Sequence, residues 1–228
     1  MQAHDITKFL GSIVQAFAEE LKDYKKEIVV ILAILIGGGL YFGGRYYLRS
    51  REQAAFATLA EYVEEYDKAL NGKEEDWPNL EMLFKMGYDQ HSSSYAAPYF
   101  LIFQVDALIQ QNKNQEALTL MDTLLASLSV HSPFMHACKI KHALLQLDME
   151  DKAIQEKGLA QLQTLVDDKA NHFRDVAQYY LGLYYWVLND LERAKPVWQA
   201  LTQSQEGLER EKMSVWAELA KEKIEQIA

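Results

Sequence analysis

The chain has 228 residues, a formal net charge of −10 at pH 7 and a single cysteine. One cysteine excludes an internal disulfide framework, and the acidic balance argues against nucleic acid as a partner, because phosphate binding depends on Lys and Arg. Four prolines and 11 glycines are few for this length, so the composition favours helix throughout and we expect an all-α protein.

The first predicted element is an amphipathic segment over residues 1–27. Apolar side chains recur there at steps of three and four residues: Ile6, Phe9, Leu10, Ile13, Phe17, Leu21 and Tyr24. This spacing predicts a helix with one apolar face. Its charges are mixed, whereas helices that lie on membranes usually have a basic face. The face therefore suits either a membrane surface or a partner protein.

A membrane anchor is predicted next, over residues 28–48. Residues 28–44 carry no charge, and at a helical rise of ~1.5 Å per residue they cover about 25 Å, near the lower limit for a hydrocarbon core. Arg45, Tyr46 and Tyr47 follow, where aromatic and basic side chains favour the interface. The alternative is a buried helix of a globular domain. The segment before the run is long and contains several acidic side chains, which favours an uncleaved signal anchor over a signal peptide.

Two further features of the anchor bear on assembly and orientation. Gly39 and Gly43 form a G-x-x-x-G pattern, which predicts close packing against another membrane helix. Lysines before the run and arginines after it are nearly balanced, so the charge rule does not choose an orientation.

Residues 49–228 are predicted to form a domain of amphipathic helices. From Glu52 onward there are 28 acidic and 16 basic side chains, a formal charge of −12. The predicted helices cover residues 53–70, 80–86, 97–111, 115–128, 133–147, 152–166, 174–188, 191–203 and 209–227. The polar breaks between most of them are short, which predicts antiparallel neighbours.

These helix pairs resemble tetratricopeptide repeats. The best unit begins near Asp175, with Gly182 in its first helix and Ala194 and Trp198 in its second. The small residues are spaced to let the two helices pack closely. The stretch over residues 98–125 fits less well, since Val105 stands where Gly182 does, and the pair around residues 139–166 fits least. We therefore expect a tetratricopeptide-like α-solenoid closed by a C-terminal capping helix.

The layout as a whole resembles the bacterial YfgM-like family. The resemblance is carried by the anchor junction GGRYYLRSREQAAFATLAEY and by the repeat that begins at Asp175. It implies an ancillary subunit of the inner-membrane protein translocon with a cytoplasmic amino terminus and a single membrane pass. It also implies a periplasmic repeat domain that contacts the translocon and periplasmic chaperones or client polypeptides.

The same resemblance suggests which side chains would bind a partner. Four positions in the first helix of a tetratricopeptide pair face the concave groove. In this chain they are Tyr99, Ile102, Asp106, Ile109, Val176, Tyr179, Leu183 and Trp186. Side chains of this kind, if exposed, would form an apolar groove suited to extended or helical peptides. Core packing is the alternative for about half of them.

The cysteine and its neighbouring histidines are the candidates for a catalytic or metal site. Cys138 and His142 share a helix face, with His131 and His136 nearby. One Cys and one His make at most half of a zinc site, and a nucleophilic thiol also needs an oriented base. We expect a small buried thiol with surface histidines beside it, no metal, no cofactor and no catalytic residue.

Three hypotheses follow for function. The first is a protein-binding module without a small-molecule substrate, the second is a structural scaffold for another envelope complex, and the third is a membrane-tethered enzyme. The sequence favours the first, with the scaffold as its alternative, and we expect no enzyme.

Overall fold

The computed structural model describes residues 25–72, 77–129, 132–204 and 214–227, with side chains from Gly37 onward. This described part holds nine helices and no strand, which confirms the all-α prediction. The helices are α1 (Lys25–Leu70), α2 (Trp77–His91), α3 (Ala97–Gln110), α4 (Asn114–Ser127), α5 (Met135–Leu147), α6 (Lys152–Asp167), α7 (Arg174–Val187), α8 (Leu191–Gln203) and α9 (Val215–Ile227).

The chain divides into two compact units, Met1–Ala54 and Ala55–Ala228. Nearly all of the predicted amphipathic segment, and the side chains of residues 28–36 in the predicted anchor, lie outside the described residues. Within the described residues, no helix combines the length and the apolar character needed to cross a bilayer. Gly39 and Gly43 are exposed in α1.

The second unit is a stack of helix pairs. From α2 onward each helix packs against the next one along the chain, and α9 packs against both α8 and α7. In the pair α7–α8, Gln178 Nε2 donates to the carbonyl oxygen of Val197 at 3.1 Å, and the Arg193 guanidinium lies 4.6 Å from the Tyr185 ring centroid. The start of α7 thus meets the end of α8, so the pair is antiparallel. This packing of adjacent helix pairs is consistent with an α-solenoid and compatible with a tetratricopeptide-like repeat.

The core of this unit consists of three successive hydrophobic clusters. The first centres on Leu59, Phe84 and Phe100, the second on Val105 and Met121. The third joins α5 to α9. Its members include Leu162, Leu181, Tyr185, Trp198 and Ala217. Each cluster joins helices that are neighbours in the chain, as expected when one helix pair cannot bury its apolar faces alone.

Local chemistry explains where several helices begin and end. Asn112 and Asn189 take positive φ angles of 59° and 58°, a conformation that Asn tolerates better than most residues. After α7, the Asn189 N–H donates to Trp186 O at 2.9 Å and the Asp190 N–H donates to Tyr185 O at 2.9 Å. These bonds form a Schellman motif. Asp190 then caps α8 by accepting from Arg193 N at 3.1 Å, so one short turn ends α7 and starts α8.

One helix prediction was wrong in extent. The helix expected over residues 80–86 covers Trp77–His91 instead. Trp77, Leu80, Phe84 and Gly87 are all buried, so the apolar stripe continues through the helix at steps of three and four residues.

Three glycines mark the closest approaches between helices. A Cβ added to Gly182 in α7 would lie 2.3 Å from Trp198 Nε1, and one on Gly158 in α6 would lie 2.7 Å from the Ala143 carbonyl oxygen. One on Gly87 in α2 would lie 2.4 Å from the Phe100 ring. The predicted close packing at Gly182 is therefore confirmed, and only glycine fits there without movement of the Trp198 side chain or of its helix.

Candidate partner-binding groove

An apolar groove of about 510 Å³ lies along the stack. Its lining comes from the end of α3, from α5, from the start of α6 and from α7. The lining residues are Ile109 from α3; Lys141, Leu144, Leu145, Leu147 and Asp148 from α5 and its C-cap; Gln155 from α6; and Tyr180, Leu183, Tyr184, Val187 and Leu188 from α7 and its C-cap. A volume of this size lies within the range of known ligand pockets.

The pattern of α7 explains its contribution. Tyr180, Leu183, Tyr184 and Val187 stand at steps of three and four residues, so they form one stripe on the helix. On the other side of the helix, Tyr185 is buried in the core beneath α8. The Schellman turn at the end of α7 leaves Val187 71% exposed and Leu188 56% exposed at the mouth of the groove. Large apolar side chains exposed next to a groove are typical of binding surfaces.

Two polar side chains in the groove are engaged by neighbours. Lys141 Nζ donates to the carboxylate of Asp106 on α3. Gln155 Nε2 donates to the Met149 carbonyl oxygen at 2.6 Å. Because these bonds hold their polar ends, the remaining lining is dominated by aliphatic and aromatic carbon.

The structure places the four predicted residues of α7 in different surroundings. Leu183 lines the groove. Tyr179 is only 8% exposed, its ring lies 5.4 Å from that of Trp216, and burial raises the pKa of its phenol. Val176 is half-buried against the third hydrophobic cluster. Trp186 is also half-buried, with Lys223 Nζ of α9 4.1 Å from its ring centroid.

Of the four predicted residues of α3, two contribute to the groove and two do not. Ile109 lines the groove, and Asp106 contributes to it indirectly by holding Lys141. Ile102 is half-buried against the second cluster. The ring of Tyr99 lies 5.0 Å from that of Phe134, away from the groove lining.

Several groove residues were absent from the sequence-based set. Leu144, Asp148, Tyr180, Tyr184 and Val187 line the groove. The signal that could have found them is the spacing of apolar residues at steps of three and four on α5 and α7, because each helix contributes about two turns of such residues to the groove. On α7 the repeat pattern predicted Tyr179 and Trp186, whereas the adjacent residues Tyr180 and Val187 line the groove. The pattern assigned no groove positions to the poorly matching pair α5–α6.

The surroundings of Cys138 confirm one prediction and correct another. Cys138 is 2% exposed, and burial raises the pKa of its thiol while Lys141 opposes the rise. His142 is not a surface residue as expected, because it is only 7% exposed. Its Nε2 lies 3.0 Å from Asp122 Oδ1 on α4, and its Nδ1 lies 3.0 Å from Gln161 Oε1 on α6. These bonds explain its burial, since a polar ring is stable inside a protein when it is hydrogen-bonded.

The neighbouring histidines complete this region. His136 Nε2 lies 3.2 Å from Asp168 Oδ2, and His131 lies outside the described residues. Among the residues that the structure describes, no group of three or more His, Cys, Asp or Glu side chains could hold a metal ion.

Comparisons with known proteins add no assignment to this geometry. No protein-family model, curated protein or solved structure matches the chain.

Proposed function

We propose that this chain is a membrane-anchored protein-binding module that holds an apolar segment of a partner polypeptide. The observation that carries the proposal is the groove of about 510 Å³ lined by aliphatic and aromatic side chains of α3, α5 and α7. Apolar grooves between helices are a recurring mode of peptide recognition. The tetratricopeptide-like character of the stack supports the same proposal, because the first helices of its pairs supply most of the lining.

A binding assay tests the groove. The full chain in nanodiscs of phosphatidylcholine is titrated against a fluorescent helical peptide of Leu, Ala and Gln, with empty nanodiscs as the blank. We expect Val187→Asp to weaken binding at least about tenfold, because a carboxylate at the mouth must be desolvated by an apolar ligand.

Val215→Asp is the matched control. Val215 is 65% exposed at the start of α9, close to the 71% of Val187, but it does not line the groove. Equal affinities for Val187→Asp and the unmodified chain would contradict the proposed function, and so would equal losses in both variants.

The anchor and the location form the second step of the proposal. The uncharged run over residues 28–44 supports insertion into a bilayer. The resemblance to YfgM-like proteins supports a bacterial inner-membrane site beside the protein translocon, with the helical domain in the periplasm and chaperones or client polypeptides as partners. Protease added to intact spheroplasts should digest residues 55–228. Protection until the membrane is broken would contradict the periplasmic location.

A structural scaffold is the second candidate function. A Cβ added to Gly39 or Gly43 would have no described atom within 4 Å, and small residues four apart let a second helix approach closely. In that case Gly39→Ile together with Gly43→Ile should disrupt assembly in membranes, whereas Val187→Asp should leave it unchanged. Cross-linking of the full chain in native membranes distinguishes the two candidates.

A further inference from the structure

The groove presents one charge that its own neighbours do not neutralise. Apart from the hydroxyls of Tyr180 and Tyr184, three polar side chains line it: Lys141, Asp148 and Gln155. Lys141 is paired with Asp106, and Gln155 donates to a backbone carbonyl. Within the described part of the chain, the carboxylate of Asp148 has neither a hydrogen bond nor an ion pair. The groove is therefore a mainly apolar surface with one carboxylate, that of Asp148, that no described side chain neutralises.

The position of Asp148 strengthens the negative potential at this point. Asp148 is the C-cap residue of α5, where the helix dipole already places partial negative charge. A carboxylate there is unfavourable for the helix, so helix stability does not explain its presence. A cation brought to the same place would interact favourably with both the carboxylate and the helix end.

The wider charge distribution favours the same kind of ligand. From Glu52 onward the formal charge is −12, and a surface with this balance attracts cationic partners and repels acidic ones. The apolar mouth formed by Val187 and Leu188 calls for aliphatic or aromatic side chains next to the cation.

Resting on the proposed function, we infer that the groove selects apolar polypeptide segments that carry a Lys or Arg beside their apolar side chains, with the cation paired to Asp148. The aliphatic stem of such a side chain can lie along the apolar lining while its charged end reaches the carboxylate.

Three labelled peptides test this selection. They share one Leu/Ala/Gln sequence and differ at a single central position, which is Lys, Gln or Glu. Each is titrated against the full chain in phosphatidylcholine nanodiscs, with empty nanodiscs as the blank. We expect the Lys peptide to bind about fivefold more tightly than the Gln peptide and the Glu peptide to bind more weakly than both, as for a partly exposed ion pair. The preference should shrink as salt rises.

Two aspartate variants locate the effect. Asp148→Asn should remove the preference for Lys, so that the Lys and Gln peptides bind this variant with equal affinity. Asp167→Asn is the matched control, because Asp167 is exposed at the C-terminal end of α6 but lies outside the groove. It should preserve the preference.

The outcomes separate this inference from the proposed function. Equal binding of the Lys and Gln peptides would overturn the inference while the proposed function stands. A preference for Lys that survives Asp148→Asn would also overturn it. If none of the peptides binds, or if Val187→Asp does not weaken binding of the Gln peptide, the proposed function fails and the inference fails with it. Concentration-dependent dimers that exclude the Gln peptide would identify a second copy as the occupant and overturn the inference.

Discussion

The contact between Gly182 and Trp198 allows a sharp test of how α7 and α8 are held together. A Cβ at Gly182 would lie 2.3 Å from Trp198 Nε1 and 2.6 Å from Cδ1. Trp198 is fully buried, and its Nε1 donates to the Tyr179 carbonyl oxygen at 3.0 Å. In Gly182→Ala the indole must therefore move and lose this bond, or the two helices must separate.

The expected magnitude follows from three contributions. Overpacking a well-filled core costs about 1–3 kcal/mol, and a buried donor that loses its acceptor costs about 1–3 kcal/mol. Alanine offsets about 1 kcal/mol of this because it favours helix more than glycine does. We expect Gly182→Ala to lower the free energy of unfolding by about 1–5 kcal/mol, which corresponds to a fall in Tm of roughly 2–20 °C for a domain of this size.

Thermal unfolding of the full chain in detergent, followed by circular dichroism, measures this effect. Trp198→Phe removes the Nε1 atom, so Gly182→Ala should cost less in that background. Gln199→Ala, an exposed change on the same helix, should stay within about 0.5 kcal/mol. A Tm that rises on Gly182→Ala would refute the reasoning, because helix propensity alone would then dominate.

Three further predictions concern single residues. Asn189→Val should lower the free energy of unfolding by about 1 kcal/mol and Asn189→Gly should not, because φ is 58° there; denaturant titration compares them. Cys138 should react slowly with a water-soluble disulfide reagent until the protein unfolds, because burial raises the pKa of the thiol. Burial, reinforced by the negative charges of Asp106 and Asp67, raises the pKa of Tyr66 to about 12. The absorbance of its phenolate should therefore appear only near pH 12. The difference between the alkaline absorbance spectra of the unmodified chain and Tyr66→Phe measures it.

The sign of the Tyr66 effect on stability also follows. The folded state holds the phenolic proton more tightly than the unfolded state, in which the pKa lies near the ordinary tyrosine value of 10.0. The contribution to stability is therefore fully present below pH 10 and is lost as pH rises toward 12. Equal alkaline unfolding midpoints for the unmodified chain and Tyr66→Phe would contradict this. Rapid modification of Cys138 in the native protein, or equal stability of the two Asn189 variants, would contradict the other predictions.

Much of the helical layout could be predicted from the sequence because its signals are local. The Asn-Asp break after Leu188 contains both the left-handed residue that ends α7 and the side chain that caps α8. Gly182 and Trp198 carry a similar signal. A glycine in one helix and a large side chain in the next predict that the two helices pack closely at that point. The predicted range of 80–86 is too short at both ends, since Trp77 and Pro78 lie in the first turn of α2 and the helix continues to His91.

The face of α7 that lines the groove depends on tertiary packing. Tyr179, Tyr180, Tyr184 and Tyr185 are four aromatic residues on adjoining sides of one helix, so periodicity alone does not decide which of them faces solvent. Trp198 and Trp216 pack on Tyr179, while Tyr180 and Tyr184 line the groove. His142 illustrates the same dependence, since its partners Asp122 and Gln161 come from two other helices.

The succession of three core clusters affects how this fold can change in evolution. Each helix from α2 to α9 is buried mainly by helices one or two places away in the chain, so no residue in the first cluster must complement one in the third. An additional helix pair inserted at a junction would need to match only its two flanking pairs. The groove could thus lengthen by whole pairs, and its span could follow the length of the polypeptide segment that it holds while the existing layers keep their side chains.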